Sequence, residues 1–157
     1  MSPPGPTPPS PRDERQPLRQ DEVASLFHGR GVPYTIQRRT VFEVLQGRSD
    51  HPTAETVHAE VTDRLPGLSK ATVYRSLETL VELGLAVRIG HPGSSARYDP
   101  KTWRHHHLIC DACGVVSDLE DDALDRLPVA TAGREGFQVR DYSVQFSGLC
   151  ATCSSQG

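Results

Sequence analysis

From residue 18 onward, apolar positions recur at helical spacing in four successive blocks, each closed by a turn-forming residue. Leu18, Val23, Leu26 and Phe27 share one side of a first helix that ends against Gly29 and Gly31. Glycine just past the last periodic residue is a stop signal, because it enters the left-handed region without a Cβ clash. Thr35 stands at the N-cap position of a second helix, with Val41, Val44 and Leu45 as its apolar stripe and Gly47 as its close. A third helix opens at Thr53, turns Ala54, Val57, Val61 and Leu65 inward, and breaks at Pro66-Gly67. Ser69 caps a fourth, which runs to about Leu83 with Val73, Leu77, Leu80 and Val81 facing the core.

Helical spacing then gives way to alternation. Residues 85–90 and 95–99 read as two short strands around the turn His91-Pro92-Gly93-Ser94, a hairpin directly after the fourth helix. Helices followed by such a hairpin make a winged helix-turn-helix. On the fourth helix, Lys70, Thr72, Tyr74 and Arg75 lie near the N-terminal end, which base edges of DNA would meet first. Periodicity alone leaves a second reading open, a helical domain whose polar face is simply solvated.

Residues 100–104 read as a hinge. Beyond it, 105–109, 115–119 and 137–147 alternate as strands, and 122–133 is predicted as a helix interrupted near Pro128. The expected fold class is α+β: a winged-helix domain over 18–100 followed by a small α/β domain over 101–157. The first 17 residues are rich in Pro and Ser, cannot bury apolar surface, and are expected to form a disordered tail.

No apolar run approaches the roughly 18 residues of a membrane span, and the N-terminal stretch lacks a signal-peptide core, so a cytoplasmic protein is expected. The net charge of -3 argues at first against nucleic acid. Its distribution softens that objection: residues 18–100 carry 10 basic and 10 acidic groups, while 101–157 carry 5 and 8. A neutral domain still binds phosphate when its basic groups share one face.

All four cysteines fall in two C-x-x-C pairs, Cys110/Cys113 and Cys150/Cys153. Each pair can chelate through a tight knuckle, and four thiolates at tetrahedral corners leave no position for substrate, so a structural zinc ion is expected. Two redox motifs or two disulfides are the alternatives. A second constellation lies just upstream. On a strand, His105 and His107 share a face while His106 points away. Asp99 ends the preceding predicted strand, Asp118 lies on the strand after the first cysteine pair, and His51 precedes Pro52 at the start of the third helix, which makes all three candidate ligands beside them. Imidazole and carboxylate without thiolate suit iron(II), manganese(II), zinc, nickel or cobalt. The competing reading is a solvated histidine run near a hinge.

The segments His51-Pro-Thr-Ala-Glu55, Ala71-Thr-Val-Tyr-Arg75, Arg97-Tyr-Asp99, His105-His-His-Leu-Ile-Cys110-Asp-Ala-Cys113-Gly114 and Cys150-Ala-Thr-Cys153 together resemble the ferric uptake regulator family of metal-dependent repressors. The resemblance covers the chain from about residue 18 onward and is closest to the family's peroxide-responsive branch. It implies an N-terminal winged-helix domain that binds double-stranded DNA at a pseudo-palindromic operator, and a C-terminal domain that forms a homodimer. It further implies a regulatory Fe2+ or Mn2+ site at His51, Asp99, His105, His107 and Asp118, and structural Zn2+ at the four cysteines. In the peroxide-responsive branch a ligand histidine is oxidised, and His51 and His105 match the positions concerned. Iron-responsive members usually have Glu where Asp99 stands, and iron sensing without a peroxide response is the alternative.

Two departures accompany the resemblance. Some members have a further metal site, whose matching positions are Arg104, His106, Asp125 and Tyr142; an arginine is no ligand, so that site is expected to be absent. A basic residue that enters the minor groove in the family is replaced by Pro33, with Arg30 nearby. Turnover chemistry is not expected, because no H-E-x-x-H or comparable arrangement supplies a general base beside the ligands. A zinc-stapled interaction module is the remaining alternative.

Overall fold

A computed structural model describes residues 17–90, 93–127, 136 and 141–155. Among these, four helices come first: α1 (Gln20–Gly29), α2 (Ile36–Gln46), α3 (Ala54–Arg64) and α4 (Lys70–Glu82). A two-stranded antiparallel sheet follows, β1 (Val87–Ile89) with β2 (Arg97–Asp99). A three-stranded sheet in the order β4-β3-β5 completes the fold, from β3 (His106–Cys110), β4 (Val116–Leu119) and β5 (Gln145–Gly148), with a final turn of helix α5 (Ala151–Ser154). The architecture is α+β, a winged helix-turn-helix followed by a small α/β part.

The helix starts form where the sequence sets them. Hydroxyls of Thr35, Thr53 and Ser69 accept hydrogen bonds from the backbone N–H groups of Arg38, Thr56 and Thr72, each satisfying a donor that has no partner inside its helix. The core of the helical part consists of Val23, Phe27, Val41, Phe42, Val44, Leu45, Ala54, Val57, Val61, Val73, Leu77 and Leu80, closed by Leu85 and Tyr98 from the wing. Tyr98 is buried and donates its hydroxyl to Glu78 of α4 at 2.9 Å. Burial first, then Glu78, pushes that phenol well above its usual range. A second apolar cluster, Ile89, Ile109 and Val116, joins the wing to the C-terminal sheet.

The chain departs from the sequence pattern in several places. Leu26 is an exposed residue, and Leu65, at the α3 C-cap, is half-buried. The strands are shorter than the alternation predicts, starting at Val87, Arg97 and Gln145. Residues 122–126 form turns rather than helix, because the Asp121 carboxylate accepts from the Ala123 N–H at 2.7 Å and organises an Asx-type turn. Residues 128–133 of that expected helix, 137–140 of the expected last strand, His91-Pro92 of the hairpin turn and residues 1–16 of the expected tail lie outside the described residues.

Candidate metal centres and nucleic-acid face

The first C-x-x-C pair is the turn between β3 and β4. Gly114 has a φ of +71°, which lets its N–H return to the Cys110 carbonyl at 2.9 Å while the Cys110 N–H reaches Val115. The second pair sits at the start of α5, with Cys150 as N-cap and Cys153 three residues on. Two contacts bring the pairs together. The Asp111 N–H donates to the Gly148 carbonyl at 2.8 Å, and the Cys150 N–H donates to the Cys110 sulfur at 3.4 Å.

All four sulfurs lie within 4.8 Å of one another, and Cys113 and Cys150 are 3.8 Å apart at their sulfurs. The cysteines are free thiols. A tetrahedral ion with bonds of about 2.3 Å to sulfur sets its ligands about 3.8 Å apart, so the donor set fits zinc. The electrostatics agree. Backbone N–H groups pull the Cys110 thiol down to about 6, whereas the neighbouring sulfurs push Cys153 up to about 12. Four thiolates this close require a cation between them.

The second cluster draws on four segments. His51 precedes α3 with a φ of +51°, in a region that a side-chain-bearing residue before proline rarely occupies. Three contacts to β2 impose that geometry: the Arg97 guanidinium donates to the His51 carbonyl at 2.9 Å, the Tyr98 N–H donates to the Pro52 carbonyl at 3.0 Å, and Thr53 bridges Arg97. Asp99 ends β2. His105 directly precedes β3, His107 lies on it, and His107 stands opposite Asp118 of β4 in the antiparallel register.

His51, Asp99, His105 and His107 are buried and Asp118 is partly so, and one ligand atom from each lies within 4.8 Å of the others. Asp99 Oδ2 is 2.6 Å from His105 Nε2 and 3.2 Å from both His51 Nε2 and His107 Nε2. Asp118 Oδ1 is 2.7 Å from His51 Nε2. Yet His51 Nε2 and Asp118 Oδ1 make no well-directed hydrogen bond, and both are buried. His105 Nδ1 lies 2.8 Å from the Trp103 carbonyl, a contact that holds the proton there and leaves Nε2 free as a donor atom. Burial works against protonation of His51 and His105, but the Asp99 and Asp118 carboxylates outweigh it and raise both. Burial likewise acts to raise Asp99, and the three imidazoles overcome it to hold that carboxyl far below the usual range. Three imidazole nitrogens aimed at two carboxylate oxygens, with His51 Nε2 and Asp118 Oδ1 unpartnered, fit a divalent cation with nitrogen and oxygen ligands.

His106 points to the other face of the sheet. Its Nε2 is 3.1 Å from Asp125 Oδ1, and its Nδ1 accepts from the Val144 N–H at 3.1 Å. Arg104 stacks over Tyr142 at 4.8 Å and pairs with Asp141 at 2.9 Å. Of the four positions matched to the family's further metal site, His106 and Asp125 thus pair with each other, and Arg104 stacks on Tyr142.

On α4, Lys70, Tyr74 and Arg75 are exposed on one face. Thr72 is half-buried, and its hydroxyl is engaged with Ser69 at 2.9 Å. Tyr74 donates to Glu55 of α3 at 2.6 Å, a contact that orients the ring and holds the Glu55 carboxyl below its usual value. The sequence did not point to Glu55 for this role, nor to Arg97, Tyr98 and Trp103 for theirs; Glu55, Arg97 and Tyr98 lie in segments that carry the family resemblance, but nothing in their spacing signals these contacts. On the outer side of the C-terminal sheet, Leu108, Val115, Phe146 and Leu149 leave an exposed apolar face.

The sequence model of the ferric uptake regulator family matches residues 29–147, and the chain belongs to that family of transcriptional regulators. It is 33% identical to the ferric uptake regulation protein of Bacillus subtilis over 88% of this chain and 96% of that protein. It is also 33% identical to the peroxide operon regulator of the same organism, over 86% and 93%. The crystal structure of the Campylobacter jejuni peroxide stress regulator superimposes with a TM-score of 0.66 at 28% identity, covering 87% of this chain and all (100%) of that one.

Proposed function

We propose that this protein is a metal-dependent, peroxide-responsive repressor whose regulatory ion is held by His51, Asp99, His105, His107 and Asp118. The observation that carries this reading is the convergence of five nitrogen and oxygen ligands from the start of α3, the wing and the C-terminal sheet. Zinc at Cys110, Cys113, Cys150 and Cys153 is a staple within the C-terminal part, since all four sulfurs come from β3, the following turn and α5. Residues 18–100 act as the DNA-reading domain and 101–157 as the metal-binding, dimerising domain. The apolar face of Leu108, Val115 and Phe146 provides the surface for a homodimer. Among the described residues no helix is long and apolar enough to cross a membrane, in keeping with a cytoplasmic DNA-binding regulator.

The chain's own residues provide the coupling. Asp99 adjoins Tyr98, which grips Glu78 on α4, while the His51 loop is stitched to the same strand and leads into α3. Drawing His51 and Asp99 toward the C-terminal ligands thus sets the orientation of α3 and α4 relative to the partner's copy of the same helices. A two-fold dimer then presents two recognition helices to a pseudo-palindromic operator. Tyr74, Arg75 and Lys70 contact bases and phosphates, with Thr72 at the helix start beside them.

An iron(II) ion held here would supply reactivity toward peroxide, and the side chains oxidised would be His51 and His105, which match the histidines oxidised in the peroxide-responsive branch. The test is operator binding by fluorescence anisotropy with Fe2+ or Mn2+, each with and without stoichiometric peroxide. Both metals are expected to promote binding; peroxide abolishes it for the iron form alone, with a gain of one oxygen on a peptide carrying His51 or His105. Binding that survives peroxide in the iron form, without histidine oxidation, would assign the protein to metal sensing proper.

A further inference from the structure

Lys101 follows the wing by two residues and touches both carboxylates of the regulatory cluster. Its backbone N–H donates to Asp99 Oδ1 at 2.8 Å, and its ammonium pairs with Asp118 Oδ2. We propose that Lys101 is a positioning residue that limits the cluster to five donor atoms, by occupying the outward oxygen of both carboxylates. The inference rests on the metal-binding reading of His51, Asp99, His105, His107 and Asp118.

The remaining oxygens are the ones that face the imidazoles. Asp99 Oδ2 lies 2.6 to 3.2 Å from the three Nε2 atoms. Asp118 Oδ1 lies 2.7 Å from His51 Nε2, 3.5 Å from His105 Nε2 and 3.9 Å from His107 Nε2. Each carboxylate therefore has one oxygen turned inward and one held by Lys101. A carboxylate with both oxygens free can chelate a hard cation through the pair, as in many oxygen-rich sites. Asp118, the partly exposed member, is the one with freedom to do so.

Two consequences follow. An ion that prefers six ligands would find three nitrogens and two oxygens here, so Lys101 would preserve access for a small reactant. Its fixed positive charge also offsets one of the two carboxylates, which weakens the attraction for a divalent ion at this distance. Lys101 itself is held in place, with its ammonium 5.8 Å from the centre of the Trp103 ring.

Cobalt(II) bound to zinc-containing protein is the probe, because its visible absorption weakens when coordination rises from five to six. Lys101→Met removes the ammonium and keeps the backbone N–H on Asp99. It is expected to bind cobalt about tenfold more tightly and to show the weaker, six-coordinate spectrum. Lys101→Arg retains the wild-type spectrum, and adding Asp118→Asn to Lys101→Met restores the five-coordinate one. Lys101→Gln, made in parallel, guards against a folding defect peculiar to one side chain. If both uncharged variants keep the wild-type spectrum and affinity within twofold, the role of Lys101 is overturned while the site stands. Wild-type protein that binds no cobalt beyond its zinc would overturn both.

Discussion

The four-sulfur cluster and the five-ligand cluster sit on the same sheet, yet they are built in opposite ways. The sulfurs come from one strand end, its turn and the helix after β5, and local contacts bring them together: the pairing of β3 with β5 and the Cys150 N–H on the Cys110 sulfur. The second cluster gathers residues as far apart as His51 and Asp118, and exists only when the helical part, the wing and the sheet are mutually placed. Four thiolates close a tetrahedron; imidazoles and carboxylates with one oxygen each do not close a coordination shell. A site assembled within one part stabilises that part, whereas a site assembled across parts reports how they are arranged.

The largest effect is expected where the local site is broken. Cys110→Ser should lose zinc, and with it the folded C-terminal sheet and the dimer, because the binding energy of a structural zinc is folding energy, on the order of 10 kcal/mol. Elemental analysis with size-exclusion chromatography checks this, and a full zinc complement in a dimeric variant would contradict it. Breaking the other site should leave the fold intact. Asp99→Ala is expected to retain one zinc per chain while losing metal-dependent operator binding, a change of roughly 5- to 150-fold for a coupling of about 1 to 3 kcal/mol. Anisotropy titrations with and without Mn2+ measure it.

A smaller effect separates reading from sensing. Tyr74→Ala and Arg75→Ala should each weaken operator binding by about 1 to 3 kcal/mol if the side chain reads a base, with manganese affinity in the absence of DNA unchanged. Both residues are exposed on α4 and touch none of the five ligands.

The helices were legible because their signals are local: Thr35, Thr53 and Ser69 cap, and the apolar stripes face one core. The two metal clusters were legible in part for the same reason, since C-x-x-C spacing and the alternation of His105 and His107 are short-range patterns. His51, Asp99 and Asp118 stood out only as candidate donors at the ends of predicted elements, and their grouping into one site came from resemblance, as nothing local links a pre-proline histidine to a strand 67 residues away. Lys101 carried no signal at all; its importance depends on which oxygens of two distant carboxylates face inward. The acidic stretch at 121–126 misled, because Asp121 caps a turn through its side chain, a competition that helical periodicity does not register.

If the five-ligand cluster couples metal to DNA, the two affinities must be reciprocally linked. Manganese affinity of the zinc-loaded protein is measured by competition titration with and without a saturating operator duplex, beside operator affinity with and without saturating manganese. The duplex is expected to tighten manganese binding by the same factor, within the range of about 5 to 150, by which manganese tightens duplex binding. Equal manganese affinity in the presence and absence of the duplex would contradict it.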